Sequence, residues 1–211
     1  LKGDDESVCV YQIKLKNRET YKANMRYSRT EIDGQESLSY TSCDKFDHWS
    51  VVARNDGYPR EIRHNALNGN FDFSFTFGES GNVDMNGSWK GEESSRKGTF
   101  SKRVSLENAM ILRRLDLTIG MKHTFDLIQH SSYPNLSALP MYFSPIGIEE
   151  VEVPAGKFSC CKVLFSIDDV RGAFFRAYYF VSVDGYQDII KCVNVPVGGG
   201  YELVSISRNG L

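Results

Sequence analysis

Adjacent cysteines at 160 and 161, with a third at 192, are the residues of this chain best suited to covalent chemistry. Neighbours on a strand point to opposite faces. Cys161 then shares its face with Val163, Phe165 and Ile167, and reads as a buried, inert thiol. Cys160 shares the other face with Phe158, Lys162 and Leu164. Cys160 to Cys192 is one candidate disulfide and Cys9 to Cys43 another; each needs Cα atoms about 4.4–6.8 Å apart, which spacing alone does not give. Five cysteines leave at least one outside any intramolecular bond. The Cys-x-x-Cys spacing that lowers a thiol pKa is absent, so no redox pair is expected.

The other chemistry-bearing residues are scattered. His48, His64, His123 and His130 lack the short spacings of a metal site, so no metal is expected. Ser80 sits in Gly78-Glu79-Ser80-Gly81, which reads as a hairpin turn rather than a nucleophile elbow. Glu149-Glu150 and Asp168-Asp169 are adjacent carboxylates, and on a strand such pairs diverge. Gly198-Gly199-Gly200 precedes no helix, so it reads as a flexible turn and not a phosphate cradle. Bases and aromatics mix in Lys14, Lys16, Tyr21, Arg26 and Tyr27. With 25 Lys plus Arg against 27 Asp plus Glu, the net charge of −2 gives no field for nucleic acid or an anionic membrane. Neither a cofactor nor a catalytic residue is assigned.

One face does carry a candidate binding function. Phe71, Phe73, Phe75 and Phe77 alternate with Asp72, Ser74 and Thr76, the pattern of a half-buried strand with one aromatic side. With Trp89, Phe174, Tyr178 and Phe180 these rings form either a core or the lining for a lipid or another hydrophobic ligand.

The elements that must position these residues are strands. Alternation and turn signals predict strands over 8–16, 20–32, 36–43, 48–54, 60–67, 71–77, 81–90 and 98–104, with a charged turn at 91–97. Residues 106–117 break the pattern with near-helical spacing of Leu106, Met110, Leu115 and Leu117, behind Ser105 as N-cap. A strand over 122–129 follows, then a proline-bearing loop over 130–144. Two strands about a tight turn at Pro154-Ala155-Gly156 lead into a C-terminal meander. The expected fold is all-β, a single antiparallel meander curled into a β-roll or open barrel, with one short helix near 106–116. Residues 1–211 are expected to form one domain, with a two-lobe division near 105 left open. No run of the roughly 20 apolar residues that span a bilayer is present.

The segment Val153, Pro154, Ala155, Gly156, Phe158, Cys160, Lys162 and Val163 resembles the signature of the DUF3108 family of uncharacterised exported bacterial proteins. Tyr178, Tyr179 and Phe180, then Tyr186 and Lys191, the final strand Glu202 to Ile206, and Leu117 to Leu127 upstream fit the same pattern. The resemblance covers the last half of the chain. It implies an exported, roll-like β fold and brings no activity. The chain opens with the polar stretch LKGDDES rather than Met; given the resemblance, removal of a secretory signal is expected over a simple truncation. In the turn itself Pro154 pre-sets φ and Gly156 can take φ > 0, so Pro154, Gly156, Phe158, Cys160 and Lys162 read as a structural motif.

Three functions follow as expectations. The first is a non-catalytic, periplasmic or envelope-associated protein that binds an envelope partner or serves structurally. The second is a carrier of a hydrophobic small molecule on the aromatic face. The third is an enzyme with a cleft of dispersed residues.

Overall fold

The computed structural model describes residues 6–15, 20–32, 35–44, 46–78, 80–106, 108–129, 134–169, 175–195 and 198–208. Phe174, His130 and Glu79 lie outside the described residues.

The meander begins with β1 (Ser7–Leu15), β2 (Tyr21–Ile32), β3 (Gln35–Cys43) and β4 (Asp47–Arg54). It continues through β5 (Pro59–Ala66), β6 (Phe71–Phe77), β7 (Asn82–Trp89) and β8 (Glu92–Thr99). A two-residue strand β9 (Val104–Ser105) and one helical turn, α1 (Ala109–Leu112), interrupt it. The second half is β10 (His123–Ile128), β11 (Ala138–Val153), β12 (Gly156–Ile167), β13 (Arg176–Ser182), β14 (Ile189–Asn194) and β15 (Gly199–Arg208). All belong to one sheet in the order β8-β7-β6-β5-β4-β3-β2-β1-β15-β14-β13-β12-β11-β10-β9. The terminal strands β1 and β15 pair antiparallel from Ser7–Arg208 to Leu15–Gly199. Each chain half therefore fans out from the centre of the sheet, and the sheet stays open between β8 and β9. The expected all-β, open-barrel class is what forms.

Side-chain alternation decides which face is inside. In β6, Phe73, Phe75 and Phe77 are buried while Ser74 and Thr76 are exposed. Met85 and Val83 continue that face on β7, opposite Phe75 and Phe77. In the second half Phe125, Phe143, Phe165 and Tyr179 pack ring on ring, with Phe143 and Phe165 stacked at 5.0 Å. Aromatic side chains dominate this core, and each offset or edge contact adds about 0.5–1.5 kcal/mol to the burial term.

The interior is crossed by a strap, residue 106 and residues 108–118. Leu106, Ala109, Met110, Ile111, Leu112 and Leu115 are all buried. Helix is confined to residues 109–112, shorter than the predicted 106–116, and its N-cap Asn108 makes no side-chain cap bond. The apolar spacing reflects burial on every side rather than one helical stripe. Asp116 then turns the chain, accepting from both the N–H and the hydroxyl of Thr118.

Three further expectations are corrected. Residues 92–99 form strand β8, not a charged turn: an edge strand with one neighbour has no need of a buried alternating face. The predicted loop at 130–144 yields to β11 from Ala138 onward. Pro140 lies near the start of that strand and Pro145 at its bulge, the two places where a missing N–H does least harm. Gly199 and Gly200 are strand residues of β15, not a turn.

The Pro154-Ala155-Gly156 tip joins β11 to β12 and reaches β15, where the Ala155 N–H donates to the Leu203 carbonyl at 3.2 Å. β14 pairs with β15 over three residue pairs only, so the tip meets part of β15 that β14 leaves uncovered. Gly156 has φ +132°, and an added Cβ would find nothing nearer than the Phe158 ring at 3.8 Å. The demand is conformational, not steric. Gly156→Val is expected to cost about 1–3 kcal/mol, read as a lower urea midpoint; an unchanged midpoint would remove this structural role.

Candidate functional site

Three hairpin turns at one end of the sheet build a groove of about 230 Å³, lined by Phe46, Asp47, Ala66, Asn68, Asn70, Phe71, Trp89 and Lys90. The β3–β4 turn is set by Asp44, whose Oδ1 accepts from the N–H groups of Phe46 (2.7 Å) and Asp47 (2.9 Å). That holds Phe46 outward, 44% exposed, edge-on to Tyr21 at 5.4 Å. The Phe46 carbonyl accepts from Leu67 N–H (2.8 Å), tying in the β5–β6 turn, and Leu67 is 54% exposed beside it. The β7–β8 turn joins through Lys90 N–H to the Asn70 carbonyl at 2.7 Å.

Beneath the rim the rings are stacked. Phe71 faces Trp89 at 6.0 Å with planes 8° apart. Trp49 lies on His64 at 3.5 Å, and His64 meets Phe71 edge-on at 4.6 Å. The register Trp49–His64 across β4 and β5 makes that contact. Both tryptophans of the chain thus sit in one cluster.

His64 is 1% exposed, with Nε2 3.7 Å from Asp47 Oδ2. Burial lowers its pKa from the ordinary 6.5, against the opposing pull of Asp47 and then Asp44. The folded state therefore prefers neutral His64. Stability from this residue is complete above about pH 6.5, where both states are neutral, and declines below it as the unfolded chain takes up a proton first. The urea midpoint is expected to fall between about pH 7.5 and about pH 5.5, and His64→Phe to flatten that slope while keeping the ring stack.

A second cleft, of about 290 Å³, lies at the open seam and is lined by Arg54, Asp56, Tyr58, Phe77, Gly78, Gly81, Asn82, Arg103 and Val104. Arg54 donates to the carbonyls of Pro59 and Phe77, both at 2.9 Å. Arg103 pairs with Asp56 and lies 4.9 Å above the Tyr58 ring. This cleft is polar, and its ion pair partly cancels its charge. Among the described residues no group of three His, Cys, Asp or Glu stands together as a metal site.

The residues singled out from sequence do not come together. Phe71 and Trp89 reach the groove, while Phe73, Phe75 and Phe77 are core residues at 0–5% exposure. Tyr178 and Phe180 lie on the other face of their strand from Tyr179, with the Lys162 ammonium 5.2 and 5.4 Å from their rings. Lys162 also pairs with Glu149 at 3.5 Å, so this part of the motif binds strands together.

Cys160 and Cys192 do not bond. Cys192 stands opposite Tyr179 on the inner face, while Cys160 stands opposite Ser182 on the outer one. Cys9 is likewise unbonded: it is buried, whereas Cys43 is exposed, and all five thiols are free. Burial above all pushes Cys9, Cys160 and Cys192 up to about 12, with nearby carboxylates, Asp188 at Cys9 and Asp184 at Cys160, acting in the same direction. These thiols are inert at neutral pH.

Sequence reasoning missed Phe46, Trp49 and His64, and also the seam cleft. The only signal for the former was Asp44, a turn-forming residue two positions before an aromatic.

Neither a family model nor a curated protein matches the chain. Among solved structures, the β-barrel-like protein of a domain of unknown function, DUF1849, from Brucella abortus is similar over 96% of this chain and 97% of its own, with a TM-score of 0.60 and 10% identity. That likeness establishes a shared fold. A candidate lipoprotein from Parabacteroides distasonis aligns over 95% of this chain and 94% of its own with a TM-score of 0.38 and 12% identity. A candidate outer membrane lipoprotein-sorting protein domain from Vibrio parahaemolyticus gives 98%, 86%, 0.30 and 9%.

Proposed function

We propose that this chain is a non-catalytic, extracytoplasmic binding protein that takes a single apolar group, an acyl chain or a large hydrophobic side chain, in the Phe46–Ala66–Phe71–Trp89 groove. One observation carries this reading: an aromatic rim, held open by hydrogen-bonded turns, lines a groove with exposed Phe46 at its lip. Scattered apolar residues on a surface are ordinary, but aromatics gathered about a concavity mark binding. At about 230 Å³ the groove is below the usual 300–1,000 Å³ of small-molecule sites, which favours one chain or side chain over a whole lipid. The extracytoplasmic setting rests on the DUF3108-like segment around Pro154. The alternative, a carrier enclosing its ligand inside the barrel, has less support, because the strap and the Phe73–Phe75–Phe77 row occupy the interior.

The test is titration with dansyl-undecanoic acid, read by energy transfer from Trp49 and Trp89. Saturable transfer in the wild type that is lost in Phe46→Asp supports the groove. Absence of saturation up to the solubility limit of the probe, or equal binding by Phe46→Asp, overturns it.

A further inference from the structure

The open edge of the sheet has an ordered charge sequence. Among the described residues β8 has one strand neighbour, β7. From its start β8 reads Glu92, Glu93, Ser94, Ser95, Arg96, Lys97: acids first, bases last. Lys97 meets Asp84 on β7 at 3.4 Å. Glu92, Glu93 and Arg96 have no ion-pair partner among the described residues, and the Arg96 guanidinium donates only to the neighbouring Ser95 carbonyl. Ser94 Oγ is shielded from water and has no hydrogen-bond partner among the described residues; the residue opposite it on β7 is Gly87.

The backbone of this edge faces outward in a defined pattern. Lys90 (φ 52°) and Gly91 (φ 84°) form a two-residue loop flanked by the Trp89–Glu92 pair, the tight hairpin in which both central residues take positive φ. Such a loop is closed by a hydrogen-bonded pair, and antiparallel pairs then alternate between bonded and non-bonded. Gly87–Ser94 is therefore a bonded pair. Glu93, Ser95 and Lys97 turn their N–H and C=O groups away from β7, toward the open side.

We propose that β8 pairs antiparallel with β8 of a second copy of this chain, about a two-fold axis at Ser94. Such an axis passes through a residue pair, so one residue must face its own copy. With Ser94 on the axis, Glu92 faces Arg96 of the second copy and Arg96 faces its Glu92. Lys97 lies diagonal to Glu93 of the second copy, within reach of a long side chain. The Ser94 pair is non-bonded in the backbone, the kind with Cα atoms only about 4.5 Å apart. Glu93 and Ser95 supply the ladder bonds. A parallel pairing of the same strands would set acid beside acid, which is unfavourable. Charges guard an edge strand against indiscriminate pairing; in this order they permit the antiparallel copy alone.

One eight-residue edge buries less than the roughly 1,200 Å² of a stable interface, so the association is weak and weakened further by salt. Sedimentation velocity over a concentration series at low salt tests it. The wild type is expected to rise from the monomer toward twice its mass. Glu92→Arg and Arg96→Glu are each expected to stay monomeric, because each sets like charges opposite. The double exchange E92R/R96E restores the dimer, and an equimolar mixture of the two single variants forms a heterodimer. A wild type that is monomeric throughout overturns the proposal, as does a dimer that persists in both single variants.

Discussion

Asp188→Ala is expected to destabilise this protein by about 3–5 kcal/mol, the range for removing one partner from a buried ion pair. Asp188 is fully buried and holds two arginines, one on each carboxylate oxygen: Arg113 from the strap and Arg208 from β15. Arg113 is itself 6% exposed, lies 4.0 Å over the Tyr27 ring, and reaches the Ser7 hydroxyl at 3.4 Å. Burial alone would lower the Arg113 pKa, but Asp188 foremost among its neighbours holds it above its ordinary value, so it stays charged. Arg208 has a second partner in Asp184 at 3.4 Å; Arg113 has no other carboxylate among the described residues. Deleting Asp188 therefore leaves a desolvated cation between strap and sheet. For a chain of this length the melting temperature should fall by roughly 6–20 °C. The triple variant R113M/D188L/R208M, which removes the charges together, is expected to lie well above the single one. Equal losses would show that packing geometry, not the unpaired charge, sets the cost.

That cluster shows where the sequence was silent. Arg113 and Arg114 interrupt an apolar run, LENAMILRRLDL, whose apolar spacing fits a helix. In the structure the strap touches sheet on several sides, so apolar residues are needed all round and the helical stripe is incidental. The partners of Arg113 come from distant elements, and no local pattern links them.

Strands with one buried face were legible. β6 alternates without error over the expected 71–77, and the turn at 154–156 joins two strands as expected. β8 was not, because an edge strand buries neither face and its charges resemble a turn. Alternation also gives the face of a residue and not its depth along the barrel. Phe71 and Phe73 share a face in any such reading, yet Phe71 ends at the groove and Phe73 in the core. Tyr178 and Phe180 were grouped with them by residue type; the register of β13 sends them to the opposite face. The Cys160–Cys192 pairing failed for the same reason, since parity within each strand was known but parity between strands was not.

Gly57→Ala is the second large effect. Gly57 lies in the β4–β5 turn with φ +83°, a conformation that costs an L side chain about 1–2 kcal/mol. An added Cβ would also sit 2.5 Å from the Met110 carbonyl oxygen and 2.9 Å from Ile111 Cα. Both are backbone atoms of α1, which cannot rotate aside as a side chain would. The strap must move or the turn must open, at about 1–3 kcal/mol more by analogy with overpacked cores. The two terms separate experimentally. Gly69 has a similar φ of +75° but open space around it, so Gly69→Ala carries the conformational cost alone. Urea midpoints of the two variants, measured side by side, are expected to differ by the steric part, with Gly57→Ala the less stable. Equal midpoints would mean that the strap yields freely at Met110, and the strap would then be a cover that lifts rather than part of the packed core. Its anchor at Arg113 argues for the packed state, because lifting α1 pulls on a buried ion pair one residue beyond its end.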